Sequence, residues 1–153
     1  MKTIFYLFFP VLFVRVFARC GGSDCSCGDL RQLELNGTLN APYSEGPGCT
    51  RSITCAKKWQ TYVVFYWHNS EIDRPSDARD DYGTADTNNI QNSLDQSATD
   101  VFALFGMICE NQTWFITKYP FGVSYYNSDD VSVAIGESLD GKKSEIYDFK
   151  CEQ

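Results

Sequence analysis

All seven cysteines of the chain (Cys20, Cys25, Cys27, Cys49, Cys55, Cys109 and Cys151) lie beyond residues 1–18, which read as a secretory signal. Met1-Lys2-Thr3 is followed by the apolar run Ile4 to Val14 and then by Arg15-Val16-Phe17-Ala18. This is the charged, apolar and small-residue order of a signal peptide cleaved after Ala18. A membrane anchor needs about 17 to 25 apolar residues, and Arg15 interrupts this run after eleven. Cysteines delivered to an oxidising compartment are expected as disulfides, so residues 19–153 are predicted to form one cysteine-rich domain held by covalent cross-links.

Zinc needs paired C-x-x-C or Cys and His knuckles. The cysteine spacings here are irregular and His68 is the single histidine, so no metal and no cofactor is expected. Cys25-Ser26-Cys27 is too tight for mutual bonding, which sends each to a distant partner. Six cysteines allow 15 connectivities. Cys55 and Cys109 both end apolar strands that are expected to face each other, which favours a Cys55–Cys109 bridge and leaves Cys25 and Cys27 to take Cys49 and Cys151 in either order. Cys20, beside the new N-terminus, becomes the odd cysteine and points to an intermolecular bond, a disulfide-linked homodimer among the outcomes. The sequons Asn36-Gly37-Thr38 and Asn111-Gln112-Thr113 mark two glycosylation sites at expected turns.

Wherever the chain is apolar the pattern has period two, and no helical stripe lasts three turns. Seven strands are predicted: 30–36 (Leu33 and Leu35 on one face), 51–56 (Ile53 and Cys55), 62–67, 101–108, 113–118, 131–135 (Val131, Val133 and Ile135 inward) and 145–151 (Tyr147, Phe149 and Cys151 inward). Segments 62–67 and 101–108 are apolar on both faces, as central strands buried on both sides are. The fold class is a mainly β, disulfide-stapled antiparallel β-sandwich. Residues 69–100, rich in Asp, Asn, Ser and Thr, read as a long exposed polar loop with a short helix near Ile90 to Leu94. Its acidic residues Asp73, Asp77, Asp80, Asp81 and Asp86 lack the alternating ligands and central glycine of an EF-hand.

Twenty acidic residues oppose thirteen basic ones, a formal charge of −7, and removal of Lys2 and Arg15 makes it two units more negative. Clustered Lys and Arg are what bind phosphate backbones and anionic lipids, so nucleic acid is not an expected partner. Beyond the signal no apolar run reaches the length of a membrane span.

Three candidate chemistries compete. His68 is the sole candidate base for a hydrolase with a Ser or Cys nucleophile, but its place directly after Trp67 reads as a strand end. Paired carboxylates suit glycoside hydrolysis, yet so many acids single out no pair. Trp59, Tyr125 and Tyr126 stand beside polar segments and form a candidate binding surface for an extracellular protein or glycan.

The cysteine and strand pattern resembles the nematode secreted six-cysteine domains and neighbouring families of unknown function. The resemblance is carried by Cys25-Ser26-Cys27, by Gly48-Cys49 followed by Ser52-Ile53-Thr54-Cys55, and by the aromatic-aliphatic strand Tyr62 to Trp67. It continues in a strand ending at Cys109, in Trp114 five residues on and in the closing Cys151. Cys20 and the length of the polar loop depart from that pattern. The resemblance implies a secreted location and a fold but no chemistry. The expectation is a non-enzymatic extracellular binding or interaction module. The alternatives are a small secreted hydrolase using His68 and a structural matrix or surface component.

Overall fold

The protein is described by a computed structural model covering residues 24–35, 39–58, 60–87, 97–136 and 138–153. It is mainly β, stapled by three disulfides and arranged as an antiparallel sandwich of eleven strands among the described residues. A five-stranded sheet runs in the order β11 (Asp148–Lys150), β3 (Tyr62–Tyr66), β4 (Tyr82–Asp86), β8 (Val123–Tyr126), β9 (Ser132–Ile135). Two three-stranded sheets pack with it: β1 (Tyr43–Glu45), β2 (Arg51–Ala56) and β5 (Ala98–Asp100), and β10 (Ser144–Glu145), β7 (Thr113–Ile116) and β6 (Ile108–Glu110).

The inner face of the large sheet carries Val63, Phe65, Ala85, Val123 and Phe149, all essentially inaccessible. They share one core with Ile53 and Cys55 of β2 and with Trp114 and Ile116 of β7. Because side chains alternate along a strand, the same strands turn Tyr62, Val64, Tyr66, Thr84, Asp86 and Ser124 to the opposite face, and that face holds the candidate site.

Several expectations are corrected. Residues 69–100 are not one polar loop, since Tyr82–Asp86 is the middle strand of the large sheet, paired with β3 over five residues. The inward residues of this strand are only Gly83 and Ala85. A Cβ on Gly83 would stand 2.7 Å from the Trp67 ring and 2.8 Å from Val123, so the bulk of that layer is supplied by Trp67. Ile72 and Ala78, in the same segment, are also buried. The helix expected near 90–94 lies outside the described residues.

Segment 101–108 starts as one helical turn, α1 (Val101–Leu104), because the Asp100 side chain accepts from the Phe102 amide at 3.0 Å and caps it. Val101 and Phe105, four apart, then share the core. Residues Leu30–Leu33 form a 3-10 turn, η1, capped by Asp29. Leu30 is buried and Leu35 is exposed. Val131 lies outside β9 and is exposed. Tyr147 points out because the chain changes sheets there: β10 pairs with β7 and β11 with β3.

The cysteines pair as Cys25–Cys49, Cys27–Cys109 and Cys55–Cys151. The expected Cys55–Cys109 bridge is therefore wrong. Cys55 is opposite Thr99 and Cys109 is opposite Trp114, in different sheets. The C-terminal segment instead folds onto the end of β2, where the Ala56 amide donates to the Glu152 carbonyl at 2.8 Å, and this brings Cys151 to Cys55.

Candidate functional site

The outer face of the five-stranded sheet forms the floor of a groove of about 470 Å³. It is lined by Leu35, Tyr62, Val64, Tyr66, Tyr82, Thr84, Asp86, Ser124, Tyr125, Tyr126, Ser132, Tyr147 and Asp148. The volume falls within the range of small-molecule sites. Backbone pairing fixes the floor: Tyr62 stands opposite Asp86, Val64 opposite Thr84 and Tyr66 opposite Tyr82. On the other side of β3, Asp148 stands opposite Val64. Leu35 reaches the rim because its amide donates to the Phe149 carbonyl at 2.9 Å, extending the edge beyond β11. Tyr147 packs edge-on against Tyr66 with ring centroids 4.6 Å apart.

Two carboxyl groups sit in this aromatic setting. Ser124 donates to Asp86 Oδ2 at 2.6 Å. Burial nevertheless dominates and pushes the Asp86 carboxyl up to about 6, the hydroxyl pulling it only partly back. Burial, and secondarily the neighbouring Glu34 carboxylate, raise Asp148 as well, and its Oδ1 is buried with no hydrogen-bond partner. Glycoside hydrolases use one protonated carboxyl as acid and one ionised carboxyl as base or nucleophile, set apart by their environments. Here both are pushed the same way.

Two cations border the groove, and both are already engaged. The Arg79 guanidinium lies 5.2 Å from the centre of the Tyr126 ring and is ion-paired with Asp80 at 2.7 Å and with Asp130. Lys150, opposite Tyr62, pairs with Glu152 at 3.0 Å.

The residues singled out in the sequence are scattered. Tyr126 is an exposed wall of the groove. Tyr125 is not an exposed shelf residue, since it alternates inward and is buried, its hydroxyl donating to Asp77 Oδ1 at 3.0 Å. Trp59, Asn36 and Cys20 lie outside the described residues. Asn111 is exposed at the tip of the β6–β7 hairpin, where Asn111 and Gln112 both have positive φ (49° and 68°), the backbone of a type I′ turn.

His68 stacks on Tyr66 at 5.4 Å, beside the groove, and its Nδ1 lies 2.8 Å from Asp81 Oδ2. No Ser, Thr or Cys hydroxyl or thiol among the described residues hydrogen-bonds this ring. The sulfurs of Cys25, Cys27 and Cys109 converge within 4.8 Å, but all three are in disulfides and offer no thiolate to a metal.

Sequence reasoning missed the groove because Asp86, Tyr82 and Thr84 sit in the segment read as loop. A signal was present: Tyr62 to Trp67 is apolar on both faces, and its second face lines the groove.

Residues 23–151 match the model of the family described as TRA-1 regulated protein R03H10.4. The chain belongs to that family. It is a nematode protein family of unknown function. Searches of curated proteins and of solved structures found no match to the chain. For this member of the R03H10.4 family the three disulfides fit folding in an oxidising compartment, as extracellular and secreted proteins do. No helix among the described residues is long and apolar enough to cross a membrane.

Proposed function

We propose that the protein is a secreted, non-enzymatic extracellular binding module and that the groove on the outer face of the five-stranded sheet is its ligand site. The observation that carries this reading is the placement of exposed apolar side chains. Among the described residues six large hydrophobic or aromatic residues are exposed, and four of them, Leu35, Tyr82, Tyr126 and Tyr147, line this one groove. Concentrated exposure of this kind marks interaction sites, and tyrosines give contact area at low entropic cost.

Secretion is supported by the residue order of positions 1–18, by the disulfides and by the resemblance to secreted six-cysteine domains. Asn111, exposed on its hairpin, is open to a glycan, as Asn36 is by its sequon. Cys20 is proposed to link two copies. The test is a binding screen of the purified disulfide-bonded protein against extracellular proteins, glycans and small molecules, repeated with Tyr66→Ala and Tyr126→Ala. Binding lost in those variants supports the groove, and ligands indifferent to both place the site elsewhere.

A hydrolase is the second reading. It has the His68–Asp81 pair in its favour, since a carboxylate holding Nδ1 is what orients a catalytic imidazole. Among the described residues no nucleophile lies within hydrogen-bond reach of His68.

A further inference from the structure

We infer that the groove takes a small organic ammonium ion with apolar substituents, its positive centre held between the tyrosine rings and the Asp86 and Asp148 carboxylates. This deepens the binding-module reading and rests on it. Of the charged side chains that line the groove, both are carboxylates, and the other lining groups are phenols, hydroxyls and aliphatic carbons. A neutral sugar or apolar ligand would dry these two acids further without compensating their charge, which costs free energy. A cation offsets that cost and gains the faces of the tyrosine rings besides.

Three further observations agree. Asp148 Oδ1 is buried without a hydrogen-bond partner, so the charge of this carboxylate is not compensated at that oxygen from within the protein. Ser124 is the hydrogen-bond donor that Asp86 has. The rim already shows the contact in miniature, with Arg79 seated over Tyr126. Both bordering cations, Arg79 and Lys150, are neutralised by their own carboxylate partners and so do not fill the site. The chain's charge of −7 draws cations towards it over longer range.

The test compares choline with 3,3-dimethylbutan-1-ol, its neutral carbon isostere, in chemical-shift titrations of the intact disulfide-bonded protein at pH 7.5. Choline should shift the resonances of Tyr62, Tyr66 and Asp86 and bind about tenfold or more tighter than the isostere. Asp86→Asn, which removes a buried charge and so should fold, and Asp148→Asn should each weaken choline several-fold and leave the isostere unchanged. Equal binding of the two probes, or choline shifts confined to other surfaces, overturns the inference. A glycan or protein that occupies the groove without competition from choline also overturns it and leaves the binding-module reading standing. That reading falls instead if groove substitutions alter the binding of no ligand at all.

Discussion

Ser124 on β8 donates a 2.6 Å hydrogen bond to Asp86 on the neighbouring strand β4, on the sheet face that forms the tyrosine-rich groove. Burial disfavours the ionised acid and pushes it up to about 6, against the pull of the Ser124 hydroxyl. Carboxyls shifted by burial within a cleft are a mark of functional sites.

The consequence for stability has a definite sign. Asp86 binds its proton more tightly in the folded protein than in the unfolded chain, so between about pH 4 and pH 6 the folded state holds more protons. The acid therefore stabilises the fold below that window, and the advantage is lost as pH rises through about 6. Asp86→Asn should accordingly be more stable than wild type at pH 8, by about 1–3 kcal/mol, and equal to it at pH 4. Denaturant melts at the two pH values check this, and a variant less stable at pH 8 would contradict the burial of that carboxyl.

Gly83 makes room for Trp67. Alanine normally favours a strand over glycine by about 0.5–1 kcal/mol, but here its Cβ would meet the Trp67 ring at 2.7 Å. Overpacking of that kind costs about 1–3 kcal/mol, so Gly83→Ala should lower the melting temperature. A rise would mean that Trp67 can repack.

The Cys55–Cys151 bridge closes 96 residues of chain separation. Cross-links over loops of this length stabilise by about 4–5 kcal/mol on the chain-entropy account. The Cys55→Ser, Cys151→Ser double variant should lose a large part of that in denaturant unfolding. Non-reducing peptide mapping should recover Cys25 with Cys49, Cys27 with Cys109 and Cys55 with Cys151.

His68→Ala should keep the fold, since its side chain is 61% exposed. Under the binding reading it alters ligand affinity only slightly, through the loss of stacking on Tyr66. A hydrolytic activity that disappears in this variant would establish the hydrolase instead.

The three bridges use the six cysteines other than Cys20. Secreted wild-type protein should run as a dimer on non-reducing electrophoresis and Cys20→Ser as a monomer. A dimer that survives the substitution would locate the link elsewhere.

Fold class was legible because it depends on local periodicity. Alternation in Arg51–Ala56 and Thr113–Ile116, and turn residues between such runs, specify strands whatever they pair with. The six cysteines likewise announced a stapled domain. Which strands meet depends on contacts distant in sequence. Cys55 finds Cys151 and not Cys109 only because the C-terminal segment lies along the end of β2. Tyr82–Asp86 escaped notice because its inward residues, Gly83 and Ala85, are small, and the bulk they lack comes from Trp67, sixteen residues earlier than Gly83. The sequence by itself determined the alternation that puts Tyr62, Val64 and Tyr66 on one face of a strand. Tertiary structure alone decided that this face would be an open groove shared with Asp86 and Asp148, because strand neighbours are chosen by the packing of the opposite, buried face.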